Sequence, residues 1–124
     1  MILVDTSVWI DHLRSSDEDL TQLLGRCQVM THPFVIGELA LGNLQHRNEV
    51  LSALQNLPQV PLATENEMLG FIEQNGLFGL GIGYIDAHLL AATRLAPGTT
   101  LWTRDKRLLS VSARLGVAEK FTIN

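Results

Sequence analysis

The chain is poor in the features that often assign a protein to a class at first reading. It has a single cysteine, Cys27, so no disulfide framework and no cysteine zinc site can form within one chain. A small core hydrophobe is the expected role for that residue. No apolar run approaches the ~20 residues of a membrane-spanning helix. The N-terminus offers only Met1 to Val4 as an apolar run, with no basic segment before it, so no secretory signal is expected. A soluble, cytoplasmic protein without membrane association is expected. Positive charge is also not in excess, since 9 Lys and Arg face 13 Asp and Glu for a net charge of −4. Over the whole chain this argues against nucleic-acid binding, because phosphate contacts need cations. There is no internal repeat, linker or low-complexity stretch. The glycine-rich segment from Gly76 to Gly83 does not supply G-x-G-x-x-G between a strand and a helix, which argues against a dinucleotide site; a mobile loop or plain turn chemistry is expected there.

What is present suits one globular domain over residues 1–124. Hydrophobic residues make up 46% and charged residues 18%, a balance that supports a core and argues against disorder. Ile2 to Val4 reads as a short buried strand, followed by a helix through Leu13 that Thr6 or Ser7 can cap. A second helix starts at Ser16 and Asp17 and ends at Gly25. Gln28 to Met30 reads as a strand, and Pro33 opens a helix to about Leu44. Further helices are expected over Asn48 to Leu57, from the capping box at Thr64 and Glu67 to Gly76 with Ala63 and Met68 as a staple, over Tyr84 to Ala96, and over Asp105 to Leu115. Thr99 to Thr103 reads as a strand, and Val117 to Phe121 as a short final one. Short apolar strands alternating with amphipathic helices imply an α/β fold with a mainly parallel sheet.

Four acids stand out against this pattern. Asp5 closes the first strand, and Asp105 follows the strand ending at Thr103. Asp86 opens an apolar helix, where the backbone dipole favours an anion. Glu38 is the only charge between Pro33 and Gly42, with Phe34, Val35, Leu41 and Gly42 as helical neighbours, so it is expected to point inward. Ligands in open α/β sheets bind at the carboxyl ends of strands. Several uncompensated carboxylates near one another are costly, and a hard divalent cation with oxygen ligands is the usual compensation. Each acid also has a plain alternative as a strand-end, first-turn or capping residue. Without the four, nine acids face nine bases, so net charge weighs little against an anionic ligand. Arg104, Lys106 and Arg107 flank Asp105, as a solvated helix start or as a contact to an RNA backbone. His88 follows Asp86 by two positions and so faces elsewhere on a helix. His12, His32 and His46 read as surface or boundary residues.

The segments around these acids resemble the motifs of the PIN domain family, and in particular VapC-type toxins. Leu3-Val4-Asp5-Thr6-Ser7-Val8-Trp9-Ile10 is similar to the family's opening motif, and Ile36-Gly37-Glu38-Leu39 to its second. Gly81 to Ala91 around Asp86 resembles the third, and Leu101 to Leu108 around Asp105 the fourth. The motifs come in the family's order and span nearly the whole chain. The resemblance implies a PIN-like three-layer α/β/α domain with a mainly parallel central sheet. It implies a Mg2+- or Mn2+-dependent endoribonuclease that acts as the toxin of a type II toxin–antitoxin pair on tRNA or rRNA and inhibits translation. Asp5, Glu38, Asp86 and Asp105 would be the catalytic metal ligands, with Thr6, Ser7 and Thr103 supporting them. The implied partners are RNA, a cognate VapB-like antitoxin that places a basic side chain in the acidic pocket, and a second copy of the chain as a homodimer within a hetero-oligomer. The loop from Gly76 to Gly83 lacks the basic residue that relatives often carry there.

Other readings of the acids are a phosphatase or phosphotransferase with Asp5 as nucleophile, and a binding module holding a structural cation. A haloacid-dehalogenase-like site would want an acid where Ser7 stands. A receiver-like site would want adjacent acids after the first strand and a late lysine, where Asp5-Thr6 and Thr103-Arg104 stand instead.

Overall fold

The computed structural model describes residues 1–119. Strand β1 (Ile2–Val4) is buried along its whole length, as expected of a central strand covered on both faces. It pairs in parallel with β2 (Val29–Met30) and with β3 (Thr100–Trp102), in the order β2-β1-β3. Parallel bridges between Thr31 and Gln59 and between Leu101 and Ala118 extend the sheet at its two edges. The second consists of Leu101 N–H donating to Val117 O at 2.7 Å and Glu119 N–H donating to Leu101 O at 2.8 Å. This is the described part of the expected final strand; Lys120 and Phe121 lie outside the described residues.

Parallel strands need crossover connections, and helices supply them: α1 (Thr6–Arg14), α2 (Glu18–Gly25), α3 (Pro33–Ala40), α4 (Arg47–Gln55), α5 (Glu65–Asn75), α6 (Tyr84–Leu95) and α7 (Lys106–Arg114). Leu3, Val8, Leu20, Val35, Leu89 and Leu101 join strands and helices in one apolar core. The architecture is a three-stranded parallel sheet with seven connecting and flanking helices among the described residues. Among the described residues no helix is long and apolar enough to cross a membrane.

Local signals account for most boundaries. Thr64 Oγ1 accepts from Glu67 N–H at 3.1 Å, and Glu67 Oε1 accepts from Thr64 N–H at 2.8 Å, which is the reciprocal capping box. Ala63 and Met68 are both buried in one small cluster beside it. Gly76 ends α5 at φ 60°, a left-handed conformation that glycine adopts without steric cost.

Three expectations are corrected here. Helix α3 stops at Ala40 rather than near Leu44, because Gly42 N–H turns back to Leu39 O at 3.1 Å and closes the last turn. Neither Thr6 nor Ser7 caps α1; the cap position is Asp5, and both hydroxyls are engaged elsewhere. Cys27 is exposed rather than in the core. It occupies the turn between α2 and β2 at φ 56°, which turns its side chain away from the apolar layers.

Candidate active site

Register brings the first two acids together. Val4 lies opposite Trp102 in the parallel pairing of β1 with β3, so both strands end at the same level. Asp5 N–H donates to Trp102 O at 2.9 Å, and the chains leave the sheet side by side as Asp5 and Thr103. Asp5 is 5% exposed. Its Oδ2 accepts from Thr103 Oγ1 at 2.7 Å and from Ser7 Oγ at 2.9 Å. Ser7 Oγ accepts in turn from Arg104 N–H at 3.0 Å, and Thr103 Oγ1 from Asp105 N–H at 3.0 Å. The two hydroxyls thus tie the start of α1 to the start of α7.

The other acids lie on helices around this end of the sheet. Asp105 caps α7, its Oδ1 accepting from Leu108 N–H at 2.9 Å. Asp86 sits in the first turn of α6, its Oδ2 accepting from Gly83 N–H at 3.3 Å. Glu38 on α3 accepts from Thr6 Oγ1 at 2.7 Å through Oε1. Glu38 is exposed, contrary to the expected inward orientation. The helix ends before Leu41 and Gly42, so its buried side is marked by Val35 and Leu39 instead. Asp105 is also exposed and Asp86 half-buried, leaving Asp5 as the one acid of the four in the interior.

These side chains share one electrostatic environment. Burial raises the Asp86 carboxyl above the ordinary aspartate range, against the lowering effect of the Gly83 N–H, and the charges of Asp5, Asp105 and Glu38 raise it further. Like charges disfavour one another's ionised form. Among the described residues, no three Asp, Glu, His or Cys side chains close into a ready-made cation cage. Among the described residues, each of the four carboxylates accepts from a protein donor through one oxygen and has no protein donor at the other, and none of those second oxygens is sealed from solvent without a partner. Ligands oriented by outer hydrogen bonds, with hard oxygens left to coordinate, are the donor set that Mg2+ or Mn2+ takes.

The basic residues beside Asp105 differ from one another. Arg104 spans Asp11 at 2.6 Å and Asp17 at 2.5 Å and lies over the Trp102 ring at 5.6 Å, so its guanidinium is already occupied. Lys106 and Arg107 have no carboxylate partner among the described residues. Although the glycine-rich loop has no cation of its own, Arg107 reaches it from α7. A Cβ on Gly81, whose φ is +79°, would stand 2.7 Å from Arg107 Nη1.

Histidine placement is not legible in the sequence. His32 is buried rather than a surface or boundary residue, and His88 is buried as well. They form an edge-packed aromatic group with Phe34 and Tyr84, and His32 Nε2 and His88 Nδ1 are without partners among the described residues. His32 caps α3 by accepting the Phe34 N–H through Nδ1 at 2.9 Å, which requires that nitrogen to be unprotonated. Burial, reinforced by His88, lowers its pKa from 6.5 to about 4. The unfolded chain therefore binds the extra proton first, and stability falls as pH drops through the window from about 6.5 to about 4, by about 3 kcal/mol for this group. His32→Asn keeps a capping acceptor without the titration. Its urea midpoint is expected to fall less than the wild type's between about pH 7 and about pH 4.5; equal falls would show that His32 does not carry the acid sensitivity.

The parallel sheet and its flanking helices thus bring Asp5, Glu38 and Asp105 close enough to Asp86 for their charges to act on it. Residues 2–114 match the PIN domain family, and the chain belongs to that family, among its VapC-type members. It is 51% identical over 118 residues, 95% of each chain, to Ribonuclease VapC32 of Mycobacterium tuberculosis (strain CDC 1551 / Oshkosh). The same identity and coverage hold for Ribonuclease VapC32 of strain ATCC 25618 / H37Rv.

Proposed function

We propose that this protein is a single-domain, divalent-metal-dependent endoribonuclease that hydrolyses a phosphodiester in structured RNA, tRNA or rRNA, and acts in the cytoplasm as a toxin that inhibits translation. The observation that carries this reading is the shared design of the four carboxylates, each anchored through one oxygen and open at the other. Asp5, Glu38, Asp86 and Asp105 would hold Mg2+ or Mn2+. When bound, the ion supplies Lewis-acid activation of water and neutralises charge on the attacked phosphate. The rest of the work belongs to the chain. Ser7 and Thr103 hold Asp5 in one orientation, Thr6 holds Glu38, and the Gly83 N–H holds Asp86. Acids whose repulsion is left unrelieved in the folded chain form a site whose charge a bound cation would offset.

A VapB-like antitoxin is the proposed partner, with the toxin as a homodimer within the hetero-oligomer. A groove of about 750 Å3 passes beside Glu38 and is lined by Ile10 and Leu13, both exposed apolar residues. Their neighbour Trp9 is buried and adds nothing to that surface.

Mapping new RNA 5′ ends after brief induction tests the function. Discrete ends in one RNA are expected with the wild type and not with Asp5→Asn, and EDTA should stop the same cleavage by purified protein. Cleavage that persists in EDTA would overturn the metal-dependent reading.

A further inference from the structure

We propose that the exposed face of α7 is the track along which the phosphate backbone of RNA enters the acidic cleft; this rests on the ribonuclease reading above and assigns the substrate's path. The face borders a groove of about 320 Å3 lined by Leu80, Lys106, Arg107, Ser110, Val111 and Arg114. Lys106, Ser110 and Arg114 recur at four-residue spacing, and Arg107 lies one turn before Val111, so the cations share a side of the helix. The chain has only nine cations against thirteen acids, yet three of the nine gather here. Among the described residues none of the three is ion-paired, since both ion pairs belong to Arg104. An acidic protein that leaves three cations unneutralised along one groove presents a local site for a polyanion.

The groove starts one residue from the acidic site. It begins at Lys106, the residue after Asp105, whose carboxylate caps the same helix. At its other wall Arg107 Nη1 approaches Gly81 O at 3.5 Å, and the missing side chain of Gly81 gives the guanidinium its room. At the far end Arg114 Nη2 donates to Asn75 O at 2.6 Å, which fixes the guanidinium without neutralising it. An acidic peptide would also suit these charges, but the start of the groove beside Asp105 favours RNA.

The test measures binding without cleavage. A fluorescent single-stranded oligouridylate is titrated with protein in EDTA across a NaCl series, and log Kd is plotted against log[NaCl]. Each phosphate contact on single-stranded nucleic acid contributes about 0.7 to that slope. Lys106→Gln and Arg114→Gln are each expected to lower it by about that amount. Arg114→Lys should restore the slope even though it replaces the group that donates to Asn75, separating charge from a structural role. Arg26→Gln, at the C-cap of α2 and outside the groove, should leave it unchanged. Slopes equal to the wild type's in both Gln variants, an equal loss in Arg26→Gln, or no binding of the probe by the wild type would overturn the track. Because no divalent ion or cleavage enters this assay, such a result leaves the ribonuclease reading to its own test.

Discussion

Replacing Asp86 with Asn is expected to reduce RNA cleavage by at least about 10³-fold, a loss of about 4 kcal/mol of transition-state stabilisation, while raising the melting temperature of the metal-free protein. The two effects share one cause. Burial and the charges of Asp5, Asp105 and Glu38 all disfavour the ionised carboxylate, so without a cation Asp86 opposes folding. An Asn keeps an oxygen for the Gly83 N–H bond and removes the repulsion, but is a poorer ligand for a hard cation. Such an exchange of stability for activity is characteristic of functional sites. Initial rates on the mapped RNA in Mg2+, with thermal melts in EDTA and in Mg2+, would check it. Wild-type cleavage by the variant would remove Asp86 from the mechanism. A lower melting temperature in EDTA would show that its hydrogen bond outweighs the repulsion.

Thr103→Val should be the most damaging change outside the four acids. Valine has threonine's shape, so packing is preserved and only the hydroxyl is lost. That hydroxyl donates to Asp5 Oδ2 and accepts from Asp105 N–H in a position that is 5% exposed. Its removal costs the buried carboxylate one of two donors and leaves an amide unpaired, together about 3 kcal/mol, or roughly 10 °C in melting temperature. Cleavage should fall by about 10- to 100-fold through loss of orientation of Asp5 and Asp105. Thr103→Ser should retain most of both properties. A Val variant as stable and as active as the wild type would mean that Ser7 alone suffices to hold Asp5.

Much of the site is legible in the sequence because its signals are local. Asp5 and Asp105 each follow a short apolar strand, and in a parallel sheet such residues leave on one edge. Thr64 and Glu67 announce a capping box three residues apart, and Gly76 ends the same helix. The misreadings have a common origin, which is chain geometry that no short segment contains. Leu41 and Gly42 continue the apolar pattern around Glu38 and suggest that it faces inward, yet the chain turns back before them. His32 reads as an unremarkable residue ahead of a proline. It is buried where α6 brings His88 against it from more than fifty positions away in sequence. Cys27 has the composition of a core residue, and its turn conformation keeps it at the surface.

The sequence by itself determined the alternation of strands and helices, the order of the motifs and which four acids stand apart, because periodicity, capping and turn chemistry act over a few residues. Only the tertiary structure decided how those acids are held. Thr103 meets Asp5 across 98 positions and Thr6 meets Glu38 across 32. It also decided which cations are occupied: Arg104 is drawn to Asp11 and Asp17, while Lys106, Arg107 and Arg114 have no acid partner among the described residues. Hydrogen bonds and ion pairs of this kind depend on strand register and helix packing, which arise from burial of the whole core and are not written in any single segment.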